Sequence, residues 1–96
     1  MEKGICEVTK EITPWSATEY TVGVVTFKET YDSPPHIQLT ASQDGRPGDF
    51  GALLCSIITV TATNLVIDFD GFRLIDGVWT FVQEVYPGAK CYWVVV

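Results

Sequence analysis

Clusters of turn-forming residues interrupt this chain at intervals of seven to fifteen residues, and that punctuation limits its fold more than any other feature. The breaks fall at Thr13–Ser16, Asp32–Pro35, Gln43–Asp49, Thr63–Asn64, Asp76–Gly77 and Pro87–Gly88. Pro presets φ and cannot donate to a ladder, Gly reaches positive φ, and Asn, Asp and Ser bond their own backbone. What lies between the breaks is strand-like. Val, Ile and Thr supply 30 residues and Phe, Tyr and Trp a further 12, the types that pack well on a pleated surface. The better helix formers are sparse and scattered, so a helical bundle is excluded. With 96 residues there is room for one core, and we read residues 1–96 as a single domain.

The periodicity locates the strands. Over His36–Ser42, Ile37, Leu39 and Ala41 point one way and His36, Gln38, Thr40 and Ser42 the other, the pattern of a half-buried strand. Leu65, Ile67 and Phe69 alternate in the same way with Val66, Asp68 and Asp70. Ile5–Val8, Tyr20–Phe27, Ala52–Thr63, Val78–Val85 and the closing Cys91–Val96 read as further strands. Asn64 is expected to turn the chain through left-handed geometry. The fold class is therefore all-β: a six-to-seven-stranded antiparallel β-sandwich.

The last strand adds a constraint. Cys91, Trp93 and Val95 oppose Tyr92, Val94 and Val96, and neither set is polar. An outer sheet face normally alternates with polar residues. One face therefore needs a cover, either the segment 71–90 or another subunit, and we expect a homo-oligomer.

Charge and motifs remove several function classes. Twelve acids against six bases give a net charge of −6, which opposes phosphate-backbone binding, so no nucleic-acid partner is expected. An acidic mimic of nucleic acid would line its acids along one face, whereas here they are spread along the chain. No apolar run reaches membrane-spanning length, so membrane insertion is not expected. The N-terminal residues lack the apolar core of a secretion signal. Cys6, Cys55 and Cys91 are odd in number and widely spaced, which is neither a disulfide framework nor a zinc pattern. We read them as reduced thiols, with one pairing across adjacent strands left open. A single histidine, His36, and no nucleophile motif leave nothing for acid–base or covalent chemistry. We expect no enzyme activity and no cofactor or metal.

Three stretches carry a family resemblance: Val24–Ser42, with its Phe27-x-x-x-Tyr31-x-x-Pro34-Pro35; Ser56–Ile67; and Tyr92–Val96. In order and spacing they resemble the H-type lectin domain of snail agglutinins, discoidins and many phage tail or fibre proteins. The resemblance covers most of residues 5–69 and 89–96. It implies a six-stranded antiparallel sandwich that forms a trimer, sometimes a hexamer, with sugars bound at subunit boundaries. It also implies a glycan or cell-surface receptor as partner, and location in a virion, or in the cytoplasm before assembly.

The chain departs from the family at its sugar-contacting positions. Ser16 stands where the animal lectins place an acid, Ala52 where an Arg opens the fourth strand, and Phe72-Arg73 where a Trp-His pair follows the fifth. The family's Gly-Phe at the fifth strand aligns with Asn64-Leu65 or, in a second register, with Gly71-Phe72; the first fits the turn over Thr61–Ile67 better and leaves residues 70–90 as an insertion. The partner of the animal lectins' N-terminal cysteine falls near Phe69, so that disulfide is not expected at Cys6.

A sugar site needs an aromatic face for the ring's C–H surface and carboxylates or amides for its hydroxyls. The candidate carbohydrate-binding residues are Trp15, Ser16, Asp70, Phe72, Arg73 and Trp79, with Asp76 as a further polar partner. Each has a plainer reading. Trp15 and Trp79 suit packing at an edge, in the core or at a subunit interface, and the acids suit a solvated strand edge. Asp44, Arg46 and Asp49 suit loop formation. The second function read from the sequence is a structural module that trimerises or caps a fibre and binds no sugar.

Overall fold

The computed structural model describes residues 2–12, 19–43, 48, 50–82, 85 and 88–96. Every regular element among them is a β-strand, and all the pairings are antiparallel. No helix long and apolar enough to cross a membrane is present among the described residues. In chain order the strands are β1 (Lys3–Glu7), β2 (Thr9–Ile12), β3 (Glu19–Thr26), β4 (Ile37–Ala41), β5 (Phe50–Val60), β6 (Asn64–Ile75), β7 (Val78–Val82) and β8 (Lys90–Val95). That is eight where six or seven were expected, because the first run leaves one sheet at Val8 and enters the other.

One sheet has the order β1-β8-β4, and the other β2-β3-β6-β5, with β7 joined to β6. Their inner faces share one apolar core. The three-stranded sheet contributes Cys6, Cys91, Trp93 and Val95, and the larger sheet contributes Val25, Leu53, Leu65, Ile67 and Phe69. Leu65, Ile67 and Phe69 are fully buried, each stabilising the fold by about 1.5–3 kcal/mol. Phe27 closes one end of the core. Its ring lies 5.7 Å from Trp93 and 5.4 Å from Tyr31.

The closing strand holds the centre of the small sheet, which explains half of its apolar character. Cys91, Trp93 and Val95 point into the core, while Tyr92 and Val96 are exposed. Trp93 lies over Gly4, where a Cβ would sit 2.9 Å from the indole. Gly23 on β3 lets β1 approach, because a Cβ there would meet the Cys6 sulfur and come within 2.6 Å of the Glu7 carbonyl oxygen.

The turn before β6 differs from the expected one. Among the described residues Asp76 is the only non-glycine with positive φ, so Asn64 is not left-handed. Thr61 closes this turn instead. Its N–H donates to the Asn64 carbonyl at 2.8 Å, and its Oγ1 accepts the Asn64 N–H at 3.0 Å.

Segment 71–90 is also corrected where it is described. Residues 71–82 do not cover a sheet face. Instead, the second half of β6 turns at Asp76-Gly77 into β7 and prolongs the larger sheet. The two turn residues have φ of 51° and 78°, which is the left-handed pair of a type I′ hairpin. Ile75 and Val78 are 44% and 63% exposed, so this arm runs out from under the small sheet. Val82 and Val85 pack back against the core.

Candidate functional site

The arm owes its chemistry to strand alternation. On β6, Leu65, Ile67, Phe69 and Gly71 are buried, so Asp68, Asp70, Phe72 and Leu74 share the opposite, outer face. The register places Ala52 and Leu54 of β5 beside Phe72 and Asp70. It places Trp79 and Phe81 of β7 beside Leu74 and Phe72. Phe72 and Phe81 meet edge to face with centroids 5.8 Å apart. The Trp79 ring lies over Gly51, where a Cβ would come within 3.1 Å of it, and Gly51 is the extra residue of a β-bulge between Phe50 and Ala52. A side chain there would lift the indole off the sheet. Trp79 and Phe81 are both 53% exposed and Leu54 and Leu74 both 43%.

At the root of the arm the face turns acidic. Asp68 and Asp70, two apart on one strand, project side by side. The Asp70 carboxyl is pushed up to about 7, chiefly by burial, then by its hydrogen bond to Asp68 and by that residue's charge. One oxygen of Asp68, Oδ1, is buried without a hydrogen-bond partner among the described residues. Carboxyls side by side on an outer face are suited to holding hydroxyls or amides.

The expected site residues thus divide. Asp70, Phe72 and Trp79 come together on the outer face. Arg73 does not join them: it lies opposite Thr80 on the inner-facing set, so alternation turns it away. Asp76 sits at the tip in the turn. Trp15, Ser16, Asp44, Arg46 and Asp49 lie outside the described residues. Phe81 was missed, although two-residue spacing from Trp79 puts it on the same face. Asp68 was read only as a strand-edge acid, although the same spacing ties it to Asp70.

A second surface lies on the outer face of the small sheet. There Lys3, Ile5, Gln38, Thr40, Tyr92 and Val94 line an open groove of ≈ 480 Å³. It combines one exposed aromatic ring with amide, hydroxyl and ammonium groups, but has no carboxylate among these residues. His36 is exposed, and its carbonyl accepts the Val96 N–H at 2.9 Å.

The three cysteines are free thiols. Cys6 and Cys91 are register partners on β1 and β8. Cys55 hydrogen-bonds Cys91 from the other sheet, which pushes the Cys55 thiol up and holds Cys91 down. Burial pushes Cys6 up to about 11. Among the described residues no group of three or more His, Cys, Asp or Glu side chains is placed to hold a metal.

The class defined by fold and site is an all-β, sandwich-like domain with an exposed aromatic and acidic arm. No family model, curated protein or solved structure matches the chain.

Proposed function

We propose that this chain is a glycan- or receptor-binding module acting as a homo-oligomer. Its setting is the one the H-type lectin resemblance implies, a phage tail fibre or related virion assembly. One observation carries the reading: Trp79 and Phe81, each half exposed, stand on the same face as Phe72 and the Asp68–Asp70 pair. Aromatic rings offer their flat surfaces to the C–H faces of sugars, and the carboxyls take the hydroxyls at one end. The face is open and flat, so it suits a run of sugar rings better than a single small ligand, which needs a concave pocket.

A glycan array tests the reading. The wild type should bind a subset of glycans, Trp79→Ala should lose that binding at least tenfold, and Trp79→Phe should keep part of it. Absence of binding by the wild type, or unchanged binding by Trp79→Ala, refutes it.

The second reading is a structural module that joins copies and binds no sugar. It is favoured by Ile5, Tyr92 and Val96 on and beside the outer face of the small sheet, which are 55%, 42% and 58% exposed.

A further inference from the structure

Strand β7 ends the larger sheet on the arm side. Among the described residues β6 is the only strand that pairs with it. Such an edge is usually protected by lysine, proline or a bulge. The sequence of β7, Val78-Trp79-Thr80-Phe81-Val82, contains neither lysine nor proline and no charge at all.

Its free side is set by the hairpin. A two-residue turn closes on a hydrogen-bonded pair, here Ile75 with Val78. Alternation then turns the N–H and C=O of Val78, Thr80 and Val82 toward β6, and those of Trp79 and Phe81 outward. The five residues also read alike from both ends: Val, aromatic, Thr, aromatic, Val.

We propose that β7 pairs antiparallel with β7 of a second copy about a two-fold axis through Thr80. In this register Val78 faces Val82 of the other copy, Trp79 faces Phe81, and Thr80 faces Thr80. These are β-branched, aromatic and threonine pairs, the cross-strand combinations that stabilise sheets. Trp79 faces Phe81 twice, and each facing exchanges two backbone hydrogen bonds. Four outward N–H groups and four outward C=O groups are thereby satisfied at once. Any shifted register leaves part of the strand unpaired.

The identity of the occupant follows from this self-match. A chain of net charge −6 repels its copies over most of its surface, but the β7 edge presents no charge to itself. Pairing also joins the two outer faces, so Phe72, Trp79 and Phe81 of both copies form one aromatic strip. The contact deepens the homo-oligomer part of the reading above and is independent of its sugar part.

Sedimentation velocity over roughly 1 to 200 µM, the range a small interface demands, tests the contact. The wild type should shift from one protomer to two, or show the two-fold step within a larger assembly. Thr80 projects away from the aromatic face, so its substitution leaves that surface intact. Thr80→Lys places like charges on the axis and should raise the dissociation constant about tenfold or more. Thr80→Glu should do the same, and an equimolar mixture of the two should re-form the pair, which an unfolded variant cannot do. A wild type that stays a single protomer throughout, an assembly that Thr80→Lys leaves unchanged, or a mixture that stays apart would overturn the proposal. Glycan binding that persists in Thr80→Lys while the mass halves would separate this contact from the sugar site.

Discussion

Replacing Asp70 by Asn tests the acidic pair directly. Asp70 is raised from 3.8 to about 7 in the folded protein, with burial the largest cause. The folded state therefore holds the proton more tightly than the unfolded chain. That contribution to stability is complete below about pH 4 and is lost as pH rises through 7. A lift of about three units corresponds to at most about 4 kcal/mol. The pair is only partly withdrawn from water, and solvent screening reduces this to about 1–2 kcal/mol. For a domain of this size that is about 5–10 °C in melting temperature. Asp70→Asn keeps a donor for Asp68 and removes the ionisation. The variant should match the wild type near pH 4 and exceed it by the stated amount at pH 8. Differential scanning fluorimetry across pH 4–9, read as variant minus wild type, measures this. A difference that is flat with pH, or a variant less stable at pH 8, refutes the raised Asp70 carboxyl.

Three further outcomes follow from the core. Gly23→Ala drives a Cβ into the Cys6 sulfur and the Glu7 carbonyl oxygen, and should cost about 3 kcal/mol or more in chemical denaturation; a loss below about 1 kcal/mol contradicts the close approach of β1. Trp93→Asp should abolish the cooperative melt by burying a charge, whereas Tyr92→Asp, one residue away on the outer face, should keep it; equal damage from both would reverse the facing of β8. Cys6 and Cys91 are 3% and 0% exposed, so a thiol reagent should label them only as fast as the protein opens, and labelling at the rate of a free thiol would show them to be accessible.

Much of the sandwich was legible because its strands are lopsided. Ile37, Leu39 and Ala41 against Gln38 and Thr40, and Leu65, Ile67 and Phe69 against the acids, each state which side faces inward. The arm carries no such statement. Leu74, Trp79 and Phe81 lie on one face and Ile75 and Val78 on the other, all apolar and all exposed. Only Asp76-Gly77 marked the hairpin, and nothing fixed whether it would cover a face or prolong a sheet. For β8 both faces are apolar, so periodicity could not tell that Cys91, Trp93 and Val95 would line the core while Tyr92 and Val96 stay exposed. The Cys6–Cys91 and Cys55–Cys91 proximities depend on register and on sheet packing, which widely spaced cysteines do not encode. Phe81 was within reach of the sequence, since the strand expected over Val78–Val85 already puts it on the same face as Trp79, but the exposure of both rings depends on the arm's leaving the core.

Strand β6 runs through both parts of the molecule, with Leu65, Ile67 and Phe69 locked in the core and Phe72 and Leu74 out on the arm. It is laddered to β5 along nearly its whole length, from Leu65 to Arg73. Tension applied at the tip and directed along the strand therefore loads those rungs in parallel, as shear, and does not peel them one by one. Force reaching the tip of the arm is thus carried to the hydrophobic interior along one unbroken strand.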